Sequence, residues 1–435
     1  MSVIGKVIHT VLDRTKHAVF EKGTLIYRLN IPALRRSNRE RAARPRPEGK
    51  IRIGFILQPP TSWAVIESVY RAAAEDPDTE PVVILMPELE FRAYIKLEKV
   101  LWQETYAFGE SRIPAEHRVR AYEPETEKWL DPATLNLDFI FIPRPYETYL
   151  PKPWRASALR KITRVCYVPY APAQMGDEPL LYNSHFIRNV SLFFTENKDA
   201  AAYLEKTIKP TLASADQKMY DTGYPKYDLV KPNDPSADIW PQKRQEDTFR
   251  VLWTPRWTSS TRLGGNNFRR YHEQIIALAE NDQSLQLAFR PHPLALDAYV
   301  REEVLSQEEL DAYLDRYDKC PNAVVDRTVS YYDTFFASDV LVADITSLIE
   351  DYMVTAKPVV FCATDIPGAP DYGNDAIRPG LYTVHSWDEL KATLADLRAG
   401  RDPKKELREK LSKELTRDGH IGRDILDILK KEAAN

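Results

Sequence analysis

The sequence predicts an α/β protein built from two successive parallel-sheet domains. Short apolar runs with helical patterns between them recur in two series. A polar, proline-bearing stretch without period, "KPNDPSADIWPQKRQED", separates the series. The length of 435 residues exceeds what one hydrophobic core usually supports.

The first segment, residues 1–49, stands apart in composition. Residues 1–50 hold twelve Lys/Arg against four Asp/Glu. Val3, Ile4, Val7, Ile8, Val11 and Leu12 fall on one helical face, with Lys6, Arg14 and Lys16 among the polar positions. "IPALRRSNRERAARPRPEGK" then reads as a basic, proline-containing linker. An amphipathic helix with a basic arm suits an anionic membrane surface, through residues 1–48. The same periodicity suits a helix packed on the protein.

The first domain spans residues 50–230. "KIRIGFIL" (50–57) reads as its first strand and "PVVILMP" as its second. "LDFIFIP" (137–143), "RVCYVPY" (164–170) and "LFFTE" (192–196) follow. Residues 231–248 are the linker. The second domain, 249–402, restarts with "FRVLWTP" and continues through "LQLAFRP", "NAVVD", "DVLVAD", "KPVVFC" and "LYTV". Residues 403–435 read as a helical segment, with Leu407, Leu411 and Leu415 at helical spacing. Two such domains suggest a cleft, and ligands of open α/β sheets bind beyond the carboxyl ends of strands.

Composition excludes several classes. A net charge of −4 does not suit a general nucleic-acid binder. Cys166, Cys320 and Cys362 are far apart in apolar surroundings and read as buried thiols. No histidine, cysteine or carboxylate set has metal-ligand spacing, and neither a P-loop nor a dinucleotide fingerprint occurs, so no metal or cofactor is expected. No run approaches the roughly 20 apolar residues of a membrane span, and no signal-peptide pattern opens the chain. The expectation is a cytoplasmic protein, peripheral on the inner membrane face if the basic arm binds lipid.

Polar groups cluster after strands of the second domain. "VLWTPRWTSSTR" places Thr254, Arg256 and a run of hydroxyls there. "LAFRPHPLA" places Arg290 and His292 between stiffening prolines. "LVADITSLIEDY" places Asp344, Thr346 and Ser347, and "IRPGLYTV" places Arg378 and Gly380 before a late strand. Guanidinium forks, hydroxyls and free N–H groups at a helix start all suit phosphate oxygens. Thr346 and Ser347 equally suit an ordinary N-cap. His292 is a candidate proton donor or phosphate contact.

"WTPRWT", "FRPHP", "TGYPKYD" (222–228) and "ADITSLIEDYMVTAKPVVF" together resemble the CDP-glycerol glycerophosphotransferases, the teichoic-acid and capsule polymerases and primases of bacteria. The resemblance spans roughly residues 220–395 and is weaker in the first half of the chain. It implies a GT-B-like architecture: two Rossmann-like domains facing a cleft, the donor nucleotide in the second. It implies transfer of a polyol phosphate from CDP-glycerol or CDP-ribitol to a lipid-linked or glycan acceptor hydroxyl, with release of CMP. The catalytic set implied is His292, His185 and Asp344. Arg256, Arg290, Thr346, Ser347 and Thr254 match the donor-phosphate segments. Gly223, Pro225, Lys226 and Gly380 match elements placed at the nucleotide, with Lys226 where the family has arginine. The family's acceptor-side His-Gly pair is missing from "CYVPYAPAQMG". His185 is the nearest histidine, and Tyr170, Asp177 and Asn183 are the other candidates. A sugar-nucleotide glycosyltransferase on the same fold, or a non-catalytic nucleotide-binding member of a surface-polymer assembly, are the alternatives.

Overall fold

The computed structural model describes residues 24–44, 49–90, 99–170, 185–212, 216–230, 239–260, 265–328, 331–364, 366 and 376–434. The expected helix at residues 3–12 lies outside these, as do Asp177 and Asn183. The chain divides into two compact units. One comprises residues 1–172, 177–229 and 417–435, the other 173–176 and 230–416.

The sheet of the first unit holds seven parallel strands: β1 (Ile51–Leu57), β2 (Thr79–Leu85), β3 (Arg118–Arg120), β4 (Phe139–Phe141), β5 (Arg164–Tyr167), β6 (Leu192–Thr195) and β7 (Lys218–Asp221). Their order is β7-β6-β5-β4-β1-β2-β3. The central strands are apolar and buried over most of their length because helices cover both faces, with Arg52 and Arg164 at half-buried starts. Phe55 stacks on Phe141, and Phe141 on Phe194.

Residues 31–42, expected as linker, are helical instead. The helix Thr24–Ala42 contains Pro32 and packs against the helix Lys198–Leu212. Leu34 and Ser37 are buried, and Arg41 pairs with Asp216 at 2.8 Å. Proline removes one helical hydrogen bond, but the Ala, Leu and Arg residues around it are good helix formers.

The last helix, Ile421–Ala434, belongs to the first unit. The Asp228 carboxylate accepts from Ile421 N at 3.0 Å and Gly422 N at 2.7 Å, and also from Ser68 Oγ. An acceptor at the free N–H groups of a helix start is the usual capping chemistry. At the other end, Glu432 accepts from Lys218 Nζ, Tyr220 Oη and Arg164 Nη1 at 2.7–3.0 Å.

The sheet of the second unit holds β8 (Phe249–Thr254), β9 (Leu285–Phe289), β10 (Ala323–Val325), β11 (Val340–Ala343), β12 (Val359–Cys362) and β13 (Tyr382–Val384). All pairings are parallel and the order is β10-β9-β8-β11-β12-β13. This is the doubly wound order, whose direction of winding reverses between β8 and β11. Trp253, Phe268, Phe289 and Tyr299 fill the core beside β8, with Phe268 and Tyr299 stacked at 4.2 Å.

Candidate functional site

The groups singled out in the second unit lie where the sheet order reverses. β8 and β11 are paired neighbours, Thr254 opposite Ala343. The loops that leave their carboxyl ends carry Arg256 and Asp344–Ser347, and the neighbouring β9 leads to Arg290 and His292. Ligands of doubly wound sheets bind at this switch point.

Asp344 anchors the loops. It is 2% exposed. Its Oδ2 accepts from Arg256 N at 2.9 Å and Asn267 N at 3.1 Å, and its Oδ1 from Asn267 Nδ2 at 2.8 Å. Asn267 Nδ2 also donates to Cys362 O at 3.0 Å. One buried carboxylate thus fixes the ends of β8, β11 and β12 and the start of the helix Phe268–Asn281. Burial raises the Asp344 pKa above the ordinary carboxylate value, against the opposing pull of those N–H groups and of Arg256. With its oxygens engaged and covered, Asp344 is built to brace rather than to exchange protons.

Arg256 extends from this anchor. Its Nη1 donates to Ile345 O at 3.1 Å, beside Thr346, and its own carbonyl accepts from Tyr299 Oη at 2.6 Å. Trp257 follows, with its ring 6.2 Å from that of His292. Contacts therefore run from the Ile345 carbonyl through Arg256 and Trp257 to His292.

His292 is exposed, and its Nδ1 accepts from Leu294 N at 3.1 Å. That bond places the proton of the neutral ring on Nε2. Partial burial lowers the His292 pKa, which favours the neutral form near pH 7. The Nε2–H is then a donor rather than a base.

Thr346 and Ser347 precede a helix of six residues, Leu348–Met353. Ser347 makes no side-chain cap bond to it, and the Thr346 hydroxyl approaches Leu348 N only at 3.4 Å. The capping reading is therefore barely used. Both residues are half-buried.

The structure commits other expected phosphate groups elsewhere. Arg290 Nη1 pairs with Asp326 at 2.6 Å and reaches Thr328 Oγ1 at 3.1 Å, while Nη2 donates to Thr328 O at 2.8 Å. The guanidinium lies over the Tyr331 ring at 5.3 Å. It ties the end of β9 to the segment after β10. The Thr254 hydroxyl is covered and makes no hydrogen bond among the described residues. The hydroxyls of Thr258 and Ser259 both donate to Glu302, at 2.9 and 2.8 Å. A carboxylate of the chain already occupies that run.

The four residues matched to nucleotide elements do not share a unit. Gly223, Pro225 and Lys226 follow β7 in the first. Gly223 has φ +88°, and a Cβ there would meet the Arg417 and Ile421 side chains at 3.0 Å, so glycine is required twice over. Lys226 Nζ lies 5.9 Å over the Tyr224 ring. Gly380 is in the second unit, where a Cβ would press on Leu411 at 3.0 Å and Arg408 at 3.1 Å. It is packed against the helix Lys405–Thr416. Arg378 opens the same short turn.

In the first unit, polar groups gather beyond the carboxyl ends of β1, β4 and β5. Gln58 Nε2 donates to Pro87 O at 2.6 Å and Tyr149 O at 3.1 Å. Arg144 pairs with Glu88. Tyr170 shares a hydrogen bond of 2.8 Å with Tyr146 Oη. His185 opens a short helix, and its Nδ1 lies 3.3 Å from Glu147 Oε2. Glu147 carried no sequence signal; it is marked only by this contact. Among the described residues, no carboxylate, histidine or cysteine group is arranged to hold a metal ion. Cys166, Cys320 and Cys362 are free and buried, and no described helix is long and apolar enough to cross a membrane.

Two Rossmann-like sheets, each with its polar groups at the carboxyl edge, define a GT-B-like protein. Solved structures share this fold. The wall teichoic acid polymerase TagF superposes with a TM-score of 0.53 at 14% identity, over 95% of this chain and 98% of that one. A UDP-GlcNAc 2-epimerase of Neisseria meningitidis bound to UDP-GlcNAc gives 0.54 at 13% identity, over 88% and 100%. These likenesses establish the fold. Residues 199–374 match the family model of the CDP-glycerol:poly(glycerophosphate) glycerophosphotransferases. The resemblance carried by the motifs is thus borne out over residues 199–374, a short stretch of the first unit and most of the second. No curated protein matches the sequence.

Proposed function

We propose that the chain transfers a polyol phosphate, glycerol phosphate in the first instance, from a CDP-polyol to an acceptor hydroxyl of a cell-surface polymer. The acceptor oxygen bonds to the β-phosphorus, the bond from that phosphorus to the bridging oxygen breaks, and CMP leaves with the bonding pair. Such a transfer needs alignment and charge stabilisation more than covalent help from the protein.

The observation that carries this reading is the pairing of the family match with uncapped hydroxyls at a sheet switch point. Thr346 and Ser347 supply hydroxyls that the local helix barely uses, Arg256 supplies a cation beside them, and His292 supplies an Nε2–H donor. Asp344 and Asn267 hold these loops in register. Arg290 acts from behind, as a brace for the end of β9. Gly223, Pro225 and Gly380 shape the backbone. The carboxyl edge of the first unit would receive the acceptor.

TagF has been solved with CDPG, which supports testing CDP-glycerol first. CMP release should require both donor and acceptor and fall at least tenfold in Ser347→Ala, by loss of one contact to a charged group worth about 1.5–3 kcal/mol. Saturable donor binding without turnover on any acceptor would instead favour the non-catalytic reading.

A further inference from the structure

We propose that a cavity at the amino edge of the first unit's sheet binds a phosphate monoester. This site is independent of the transfer reading, which uses the carboxyl edges. The cavity measures about 280 Å³, close to the smallest ligand pockets at about 300 Å³. Phe139 and Arg164, the first residues of β4 and β5, lie in its wall. The helix Thr24–Ala42 contributes Arg41 from its end, and the helix Ile421–Ala434 contributes Glu432. Elements distant in sequence thus close around one space.

The charge around that space does not balance. Arg41, Arg44 and Arg164 line it. Arg160 and Lys218 join the same network, Arg160 within the field of Arg41 and Lys218 at 2.7 Å from Glu432. The opposing carboxylates are Asp138, Asp216, which meets Arg41 at 2.8 Å, and Glu432, which meets Arg164 at 3.0 Å. The surplus is two positive charges. A phosphate monoester carries about −1.5 to −2 near pH 7 and is its complement. Burial lowers the Arg41 pKa, and the Arg164 charge adds to this against the pull of Asp216. An arriving anion relieves that crowding.

The wall also offers donors and apolar surface. Arg164 Nη1 serves the Glu432 carbonyl and carboxylate at 2.7 and 3.0 Å, while its Nε and Nη2 make no hydrogen bond among the described residues. Thr163 lies in the same wall, 3% exposed, and its covered hydroxyl has no hydrogen bond among them either. Buried hydroxyls are rarely left so. Guanidinium forks suit phosphate oxygens. Leu137, Phe139 and Ile162 give the organic ester group an apolar wall, which favours a monoester over inorganic phosphate.

Titration calorimetry of the full chain with phenyl phosphate, inorganic phosphate and phenol tests this. Phenyl phosphate should bind saturably, and the other two at least tenfold more weakly. Arg164→Gln should weaken phenyl phosphate at least tenfold, the scale of one contact to a charged group. Arg44→Glu should do the same from an exposed position where the fold is not at stake. Ser347→Ala, or excess CMP, should leave the affinity within about twofold, which separates this cavity from the loops of the second unit. Vesicles of phosphatidic acid, compared with vesicles of phosphatidylcholine, identify the source of the ester. Pelleting that requires both phosphatidic acid and Arg164 assigns a lipid monoester, and phenyl phosphate binding without such pelleting assigns a soluble one. The proposal is overturned if phenyl phosphate does not saturate, if inorganic phosphate binds as tightly, if both arginine variants keep wild-type affinity, or if Ser347→Ala abolishes binding.

Discussion

Asp344→Asn separates a bracing carboxylate from a chemical one. The substitution keeps the shape and removes the charge. The amide oxygen can still accept from Arg256 N and Asn267 N, which share Oδ2 at 2.9 and 3.1 Å. Its NH2 then faces Asn267 Nδ2, formerly a 2.8 Å donor to Oδ1. One buried donor loses its acceptor, at about 1–3 kcal/mol. Two further bonds change from charged to neutral acceptors, at about 1 kcal/mol each. Relief of the buried charge returns part of this, so the net loss should be about 2–4 kcal/mol. Urea unfolding followed by a probe in the second unit, such as its tryptophans, measures it.

Two further signatures belong to the bracing role. Asn267→Ala should cost a similar amount, and the double variant should cost less than the sum, because both remove one shared network. The raised Asp344 pKa also sets a pH slope. Stability from this group is fullest below the unfolded carboxyl value and falls as pH rises through the higher folded value. Asp344→Asn should abolish that component. A variant as stable as the wild type, yet a hundredfold slower in CMP release, would refute the bracing account and return Asp344 to the chemistry.

Other expectations concern the scaffold and the basic arm. Gly422→Ala would set a Cβ 2.6 Å from the Ser68 carbonyl carbon and 2.7 Å from its oxygen, so thermal unfolding should report about 1–3 kcal/mol of lost stability. Asp228→Ala removes the cap of the same helix and should cost about 1–2 kcal/mol by urea titration. Lys357 is half-buried and donates to the carbonyls of Phe336 and Ser338, and partial burial lowers its pKa from 10.5 to about 8. The folded chain sheds this proton before the unfolded chain does. Relative to Lys357→Met, wild-type stability should therefore rise between about pH 8 and 10.5, by at most about 3 kcal/mol. For the anionic-membrane expectation, the deletion to compare is residues 1–23, because the helix Thr24–Ala42 is packed into the first unit. Equal pelleting of the full and shortened chains with anionic vesicles would exclude a lipid role for residues 1–23.

The central strands were legible because apolar runs bounded by turn residues have few other solutions. β3 and β7 were not, and both lie at sheet edges. In "RVR" only Val119 is apolar, and every residue of β7 is half-buried. Edge strands need no continuous apolar face. Pro32 hid a helix whose stability comes from packing on another helix. The switch-point loops were legible as clusters of phosphate-seeking residues. Their commitments were not, because the partners are distant in sequence. Asp326 claims Arg290 from 36 residues away, Glu302 claims Ser259 from 43, and Glu147 meets His185 across 38. Residue type marks the capacity for chemistry, and only the fold shows which capacity is already used.

The most direct test is CMP release from CDP-glycerol and CDP-ribitol by the full chain, with membranes or a glycan primer as acceptor, beside Ser347→Ala and His292→Ala. The account predicts acceptor-dependent release that falls at least tenfold in each folded variant. Folded wild-type protein that releases no CMP from either donor, or variants that match its rate, would contradict it.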